Sequence, residues 1–249
     1  TEANQVSRYP AYMDLVRQQL KQHYQASSLS SHGLRIFTSL DPWVQQQADK
    51  AMLEQVGKLK QRYSNIEGLQ GAVVVSHRDS GELLALVGDY NGGYAGHNWA
   101  LDESRQVGSL LKPIVHLAAL ETGRYSPNSI IDDAPIALPQ PDGSLWQPQN
   151  YDRKSHGKVP MYETLVKSYN QANVRLGLDV GVDKVLQQLQ RMGVEQTIPA
   201  YPSVLLGAVE MSPLQVNQVY QTIASNGFYS PLSICLLYTS PSPRDPTSS

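Results

Sequence analysis

The spacing of apolar and polar positions predicts a chain that mixes helices with short strands. Near the N-terminus, the apolar positions of YMDLVRQQLKQHY recur at the spacing of an amphipathic helix. These positions are Tyr12, Leu15, Val16 and Leu20. A strand is predicted over LRIFTSL, residues 34–40. The next helix is expected to have Asp41 as its N-cap and Pro42 as its first residue.

Further along the chain, the pattern predicts a β-hairpin and a buried helix. The apolar runs AVVV and LLALVG flank Asp79-Ser80-Gly81-Glu82, which supplies the turn glycine of a hairpin. SLLKPIVHLAAL, residues 109–120, is apolar nearly all round, so we expect a buried helix there. Pro113 falls at about the fifth position, and proline is tolerated only near a helix start.

The second half of the chain alternates a long irregular segment with helices. Residues 127–160 are rich in proline, asparagine and aspartate, and are predicted to form a long ordered loop. Helical patterns then cover residues 161–181 and 182–194. A last helix is expected to begin at Ser212 as N-cap and to stop at Gly227.

Composition and charge exclude several classes of partner. The net charge is −2 and no block of lysine and arginine occurs, so neither nucleic acid nor anionic lipid is predicted as a partner. The single cysteine, Cys235, allows no internal disulfide. The six histidines, which include His116 and His156, form no HxxxH or HExxH pair and are interpreted as surface or loop residues. We therefore predict no metal and no cofactor. No stretch approaches the roughly 20 apolar residues of a membrane span.

The stretch RQVGSLLKPIV contains the first candidate for chemistry, Ser109 with Lys112 three residues later. A serine hydroxyl attacks only when a base takes its proton, and a lysine serves as that base when burial lowers its pKa. Because positions i and i+3 share one helix face, we expect the amine to reach the hydroxyl. The backbone N–H of Ser109, at a helix start, can stabilise an oxyanion. Gly108 allows a substrate to come close.

The same residues also have a simpler interpretation, in which Ser109 is an N-cap and Lys112 is a solvated side chain. The serine-x-x-lysine spacing occurs a second time, at Ser155 and Lys158. That pair lies in a polar loop with no apolar helix after it, so we interpret it as a chance match.

The second candidate is Lys167-Ser168-Tyr169-Asn170, which lies between two helical patterns. On a tight loop, Ser168 and Asn170 can both point into one cleft. The hydroxyl can relay a proton to a leaving amine, and the amide can hold the lysine and a substrate carbonyl at once. A similar element, Ser126-Pro-Asn128, is interpreted as the end of the preceding helix.

Serine-x-x-lysine combined with serine-x-asparagine is known from penicillin-binding proteins and class A β-lactamases. Further segments agree and occur in this order: RYPAYMDLVRQQL, GLRIFTSLDPWVQQQA, the AVVV hairpin, RQVGSLLKP, DAPIAL, WQPQNYD, KSYNQANVRLG and LLGAVEMSPLQVNQVYQTIASNG. Over residues 8–232 the sequence resembles the linker and transpeptidase region of class A bifunctional penicillin-binding proteins of the 1B type. The resemblance implies an α+β fold of the serine β-lactamase/DD-transpeptidase kind, here a helical cluster with part of an antiparallel sheet.

The resemblance also implies a domain organisation and a location. Residues 1–33 would be a linker from an upstream glycosyltransferase domain that the sequence lacks, and residues 34–232 the N-terminal portion of a transpeptidase domain. Residues 233–249 have no usable periodicity and are interpreted as a disordered tail outside the family. Members of the family are anchored in the bacterial inner membrane and face the periplasm, where they polymerise lipid II and cross-link stem peptides.

Carried over to this sequence, the resemblance implies a role for each candidate residue. Ser109 would be the acylated nucleophile that attacks a D-Ala-D-Ala bond, and Lys112 would be its base. Ser168 and Asn170 would complete the proton relay and the grip on the substrate. The expected partners are peptidoglycan stem peptides and β-lactams, which would acylate the same serine. Other proteins of cell-wall synthesis are expected partners of the parent protein.

The third motif of the family, a Lys-Thr-Gly strand, does not occur in the 249 residues. The nearest match is Lys154-Ser155-His156, in which histidine replaces glycine. The family's strand supplies the second oxyanion donor, and loss of one such donor costs about 10²–10³ in rate. We therefore expect the parent protein to be a cross-linking enzyme and this polypeptide by itself to be inactive.

Other classes of protein share part of this pattern. A serine β-lactamase has the same fold, but class A enzymes add a Glu-x-x-Leu-Asn base that the sequence lacks. A β-lactam sensor or binding module uses the same acylation and turns over poorly. Signalling helices beside the domain would favour a sensor, whereas an upstream glycosyltransferase would favour the bifunctional enzyme. A non-catalytic protein would require the ordered run of matching segments to be a coincidence.

Overall fold

The computed structural model of the chain describes residues 8–23, 35–66, 68–90, 97–140 and 142–239. In chain order, the elements are α1 (Pro10–His23), β1 (Arg35–Thr38), α2 (Pro42–Arg62), β2 (Val73–Ser76), β3 (Leu83–Val87), β4 (Arg105–Gln106), the 3₁₀ helix η1 (Gly108–Leu111), α3 (Lys112–Glu121), β5 (Ile130–Asp132), β6 (Leu138–Pro139), β7 (Leu145–Trp146), β8 (Lys158–Pro160), α4 (Met161–Val166), α5 (Asn170–Val180), α6 (Val182–Arg191), the 3₁₀ helix η2 (Pro202–Leu206), β9 (Glu210–Met211), α7 (Pro213–Ala224) and β10 (Cys235–Thr239). The chain divides into two units, one made of residues 1–104 and 212–249, the other of residues 105–211.

The first unit is built on the predicted hairpin. β2 and β3 pair antiparallel, with Val73 opposite Val87. Gly81 in the connecting turn has a φ of +74°, and a Cβ added there would lie 2.8 Å from the carbonyl oxygen of Pro231. Glycine is therefore required at this turn both for its backbone conformation and for the close approach. α1, α2 and α7 pack against the two strands.

The helix starts of the first unit agree with the sequence pattern. All four apolar positions of α1 are buried, and the Tyr12 hydroxyl donates to the backbone oxygen of Leu83 at 2.8 Å. The Asp41 side chain caps α2 by accepting from the backbone N–H groups of Trp43 and Val44. Both predictions are confirmed, because they depend on residues that lie within one or two helical turns of each other.

The C-terminal part of the first unit differs from its prediction in one respect. Ser212 caps α7 as expected, through a capping box with Gln215. The tail was predicted to lie outside the fold, yet β10 pairs antiparallel with β1 and Ile234 is fully buried. A single edge strand gains its stability from its partner strand, so its own composition gave little indication of it. Residues 240–249 lie outside the described residues.

The second unit is organised around α3, which packs against α4, α5 and α6. The predicted helix over residues 109–120 is present but starts as η1 and becomes α-helical at Lys112. Pro113 thus lies in the first turn of α3 rather than at the fifth helical position. In the first turn its missing N–H costs no hydrogen bond. As predicted, most of α3 is buried, with Ile114 and Val115 fully so.

The segment predicted as a loop over residues 127–160 contains four short strands. β5 pairs with β8, with Ile131 opposite Val159, and β6 pairs with β7. Strands of two or three residues are too short to show an alternating pattern, so the sequence did not predict them. All five named strand pairs in the described parts of the chain are antiparallel, which confirms the predicted α+β class.

Candidate active site

The amine of Lys112 lies at the centre of the site in the second unit. Lys112 is the first residue of α3, and only 1% of it is exposed. Its Nζ lies 2.6 Å from the backbone oxygen of Ser168, 2.9 Å from Ser168 Oγ and 2.5 Å from Asn170 Oδ1. The interpretation of Lys112 as a solvated side chain is therefore wrong. The structure brings together residues that are 56 and 58 positions apart in the sequence.

Ser109 joins this group through Ser168. The Ser168 hydroxyl lies 3.1 Å from Ser109 Oγ, so it contacts both the Lys112 amine and the Ser109 hydroxyl. We expected the amine to reach Ser109 across one turn, but its three contacts all go to the loop that carries Ser168 and Asn170. An ammonium has three N–H bonds, and those contacts use all of them. Ser109 lies inside η1, and the N-cap of α3 is Leu111, so Ser109 does not cap that helix.

Burial changes the acidity of the central amine. Loss of hydration lowers the pKa of Lys112 to about 8, although the negative charge of Asp133 acts in the opposite direction. At pH 7 about one amine in ten is then neutral, compared with about one in 3,000 for a lysine with a pKa of 10.5. Burial also lowers the pKa of the neighbouring His116, whose Nδ1 lies 2.9 Å from the backbone oxygen of Lys112. His116 is thus a core residue of α3, and its interpretation as a surface or loop histidine is wrong.

The loop between α4 and α5 presents Ser168 in an unusual backbone conformation. Ser168 has a φ of +57°, in the left-handed region that costs a non-glycine residue about 1–2 kcal/mol. Its N–H donates to the backbone oxygen of Leu165, and the N–H of Tyr169 donates to that of Thr164. In this conformation both the carbonyl and the hydroxyl of Ser168 contact Lys112. The predicted tight loop is present, and the backbone cost of forming it is offset by these hydrogen bonds.

The backbone in front of Ser109 is shaped by a glycine that the sequence did not single out. The N–H of Gly108 donates to the backbone oxygen of Gly207 at 3.1 Å. A Cβ added to Gly207, whose φ is +77°, would lie 2.0 Å from the carbonyl oxygen of Gly108. Gly108 itself has a φ of +56°, and a Cβ there would meet no atom within 4 Å. The space beside Gly108 is therefore open.

Three polar residues that sequence reasoning missed lie against the loop that carries Ser168. Asp133 and Asn150 are buried, and His156 stacks on Tyr169 with 3.9 Å between the ring centroids. Asp133 and Asn150 belong to DAPIAL and WQPQNYD, two of the segments on which the family resemblance rests. Their position in these two segments was the only feature of the sequence that could have identified them. The segment around them is irregular, so its pattern does not indicate which side chains point inward.

The second occurrences of serine-x-x-lysine and serine-x-asparagine in the sequence do not form a site. Lys158 begins strand β8 and is exposed, while Ser155 Oγ donates to the backbone oxygen of Asp133. Ser126 is exposed in the turn that follows α3, where its N–H donates to Ser129 Oγ.

Across the described ranges, no group of three histidine, cysteine, aspartate or glutamate side chains could hold a metal ion. No helix in those ranges is both long and apolar enough to cross a membrane.

The sequence matches the family described as "Penicillin binding protein transpeptidase domain" over residues 71–243. The chain belongs to this family. Penicillin-binding protein 1B of Vibrio cholerae is 40% identical over 229 residues, which cover 91% of this chain and 29% of that protein. Penicillin-binding protein 1B of Escherichia coli K12 is 40% identical over 232 residues, covering 92% and 27%. The chain therefore spans less than a third of the length of these relatives.

Solved structures show the same fold at lower sequence identity. Penicillin-binding protein 1A from Haemophilus influenzae superposes with a TM-score of 0.78 at 20% identity, over 92% of this chain and 48% of that chain. The penicillin-binding protein PonA1 from Mycobacterium tuberculosis gives 0.77 at 22% identity, over 92% and 60%. The predicted fold of the transpeptidase kind is thereby confirmed.

Proposed function

We propose that this chain carries the serine–lysine part of a DD-transpeptidase site, within a class A penicillin-binding protein that cross-links peptidoglycan. The observation that carries the proposal is the continuous set of contacts from Lys112 Nζ through Ser168 Oγ to Ser109 Oγ. Ser109 is the nucleophile, Lys112 the base and Ser168 the relay between them. Asn170 holds the amine and contributes to the substrate grip.

The contacts support a relay that runs in both directions. A hydroxyl is both donor and acceptor and rotates freely, so Ser168 can donate to a neutral Lys112 amine while it accepts from Ser109. The Ser109 proton then moves to Ser168 as the Ser168 proton moves to Lys112, and Ser109 Oγ bonds to the carbonyl carbon of the penultimate D-alanine. When the tetrahedral intermediate collapses, the peptide C–N bond breaks and the proton returns through Ser168 to the departing D-alanine amine. An acceptor amine later attacks the resulting ester by the same route.

The remaining groups stabilise charge and orient the substrate. The N–H of Ser109 is in the first turn of η1, where backbone N–H groups have no partner within the helix, so it is suited to the developing oxyanion. One hydrogen of Asn170 Nδ2 is donated to the backbone oxygen of Gln149 at 2.7 Å. The second hydrogen of that amide can therefore be donated to a substrate carbonyl.

Family membership and the 1B relatives support the substrates and the location that we propose. The donor is a stem peptide ending in D-Ala-D-Ala, and a β-lactam acylates Ser109 in its place. The parent protein is a bifunctional glycosyltransferase and transpeptidase, anchored in the bacterial inner membrane and facing the periplasm among other proteins of cell-wall synthesis. Residues 1–33 are its linker and residues 34–232 the first portion of its transpeptidase domain.

The decisive experiment is an exchange of the matched segment into a relative. Residues 71–243 replace the corresponding part of E. coli penicillin-binding protein 1B, and the chimera is incubated with a fluorescent penicillin. We expect stoichiometric label that is lost in Ser109→Ala and kept in Ser126→Ala, the matched serine of the second serine-x-asparagine element. A folded chimera without label, or label that survives Ser109→Ala, would refute the proposal. Rapid release of hydrolysed penicillin would favour a β-lactamase instead.

We further propose that the 249-residue polypeptide by itself is inactive, because it contains no Lys-Thr-Gly or Lys-Ser-Gly sequence. The family's third motif supplies the second oxyanion donor, whose loss lowers the rate about 10²–10³-fold. Incubated with the fluorescent penicillin, the polypeptide should label far more slowly than the chimera. Stoichiometric label on Ser109 at the chimera's rate would contradict this.

A further inference from the structure

The N-terminus of α5, the helix that carries Asn170, is capped by side chains that lie far from it in the sequence. The residue before α5 offers no side-chain cap, so the first N–H groups of the helix bind elsewhere. The N–H groups of Asn170 and Gln171 donate to Asn150 Oδ1 at 2.6 and 3.3 Å. The N–H of Ala172 donates to Asp133 Oδ1 at 3.0 Å. The start of α5 is thus fixed by side chains 20 to 39 residues earlier in the chain.

The capping side chain of Asn150 is itself held in place. Its Nδ2 donates to Asp133 Oδ2 at 2.6 Å and to the backbone oxygen of Lys154 at 2.8 Å. Asp133 Oδ2 also accepts from the backbone N–H of His156 and contacts His156 Nδ1 at 2.8 Å. Asp133 is fully buried, so its carboxylate depends on these donors for solvation. The amide of Asn150 therefore has one orientation, with Oδ1 toward α5.

A ring contact extends this support to the loop itself. The imidazole of His156 stacks on Tyr169, with an interplanar angle of 12°. Tyr169 lies between Ser168 and Asn170, the two residues that contact the Lys112 amine. The hydrogen bond to Asp133 raises the pKa of His156, and the contact of Nε2 with Asp152 acts in the same direction. Both carboxylates therefore favour protonation of the stacked ring, and in the protonated ring Nδ1 donates to Asp133.

We propose that Asn150, oriented by Asp133 and His156, is a positioning residue that places Asn170 and Ser168 around the Lys112 amine. The inference rests on the proposed function, because it concerns the same relay. Asn150 acts through the backbone of Asn170 rather than on the reacting atoms. Without its Oδ1, the first N–H groups of α5 would turn to water, and water would gain access to the amine. Burial is the main cause of the lowered pKa of Lys112, so hydration would raise that pKa.

The test measures that pKa directly in the 249-residue chain, without relying on activity. Lysine is labelled with ¹³C at Cε, and the Lys112 signal is assigned by its absence in Lys112→Met. We expect the wild-type signal to titrate at about 8. In Asn150→Ala it should titrate above about 9, toward the ordinary lysine value, which lowers the neutral fraction at pH 7 about tenfold. His156→Ala, a change at a more exposed side chain, should move it in the same direction by less.

A core variant separates positioning from stability. Leu189→Ala in α6 removes a buried side chain and destabilises the folded chain, but it should leave the Lys112 titration at about 8. If Asn150→Ala is unfolded, His156→Ala decides the question. A folded Asn150→Ala or His156→Ala with an unchanged titration would refute the positioning role, as would an equal change in Leu189→Ala. A wild-type titration near the ordinary lysine value would instead refute the proposed base, and the positioning role with it.

Discussion

Replacing Lys112 by methionine tests whether the amine is stripped of water. Methionine keeps a flexible side chain of similar length in the same buried position but does not titrate. The variant leaves three acceptors on Ser168 and Asn170 without their donor, and that cost is the same at every pH. The difference in stability between wild type and Lys112→Met therefore changes with pH only through the ionisation of Lys112.

The size and sign of the change follow from the lowered pKa. The pKa is about 8 in the folded protein and 10.5 in the unfolded chain. Below pH 8 the amine is protonated in both states, and the folded state bears the full cost of burying the ammonium, about 3 kcal/mol at 1.36 kcal/mol per pKa unit. Between these two values the unfolded chain binds more protons than the folded one, so stability rises with pH. Above pH 10.5 the cost has disappeared.

The assay is urea-induced unfolding at pH 7 and pH 10, followed by far-UV circular dichroism. We expect the free energy of unfolding of wild type, minus that of Lys112→Met, to increase by about 2.5 kcal/mol between these pH values. Lys158→Met, which removes the exposed lysine of the second serine-x-x-lysine pair, is the matched control and should show no such increase. If the Lys112→Met difference is the same at both pH values, the amine is hydrated, and the reasoning from its burial is wrong.

Three further predictions concern the backbone of the site and a helix cap. Gly207→Ala should lower the thermal unfolding temperature much more than Gly108→Ala, because the Cβ at position 207 would lie 2.0 Å from the carbonyl oxygen of Gly108. The Cβ of Gly108→Ala meets open space, so that variant should lose only the about 1–2 kcal/mol that its positive φ costs. Similar decreases in the two variants would contradict this. Ser168→Gly should be about 1 kcal/mol more stable than Ser168→Ala in urea unfolding, since glycine adopts a φ of +57° without strain. Neither substitution, made in the chimera, should allow rapid labelling by the fluorescent penicillin. Equal stability of the two variants would show that the strain is absent. Ser212→Ala should lower the free energy of unfolding by about 1 kcal/mol through loss of the capping box, and an unchanged urea midpoint would argue against that cap.

The local features of the fold were accessible from the sequence because their causes are local. The buried face of α1 depends on apolar residues within a few turns, and the caps of α2 and α7 depend on Asp41 and Ser212 beside the helices they start. The hairpin of β2 and β3 likewise follows from two apolar runs around Gly81. The strands between residues 127 and 160 and the strand β10 were not predicted. They are short, and their stability comes from partners elsewhere in the chain.

The sequence by itself determined which residues are candidates for the chemistry: the motif spacing and the order of matching segments pointed to Ser109, Lys112, Ser168 and Asn170. Only the tertiary structure decided how they meet, with Ser168 between the Lys112 amine and the Ser109 hydroxyl and the loop held by Asn150 and Asp133. The physical reason is that a buried hydrogen bond between segments tens of residues apart has no period along the chain. Its geometry, and the lowered pKa that burial produces, exist only once the helices have packed.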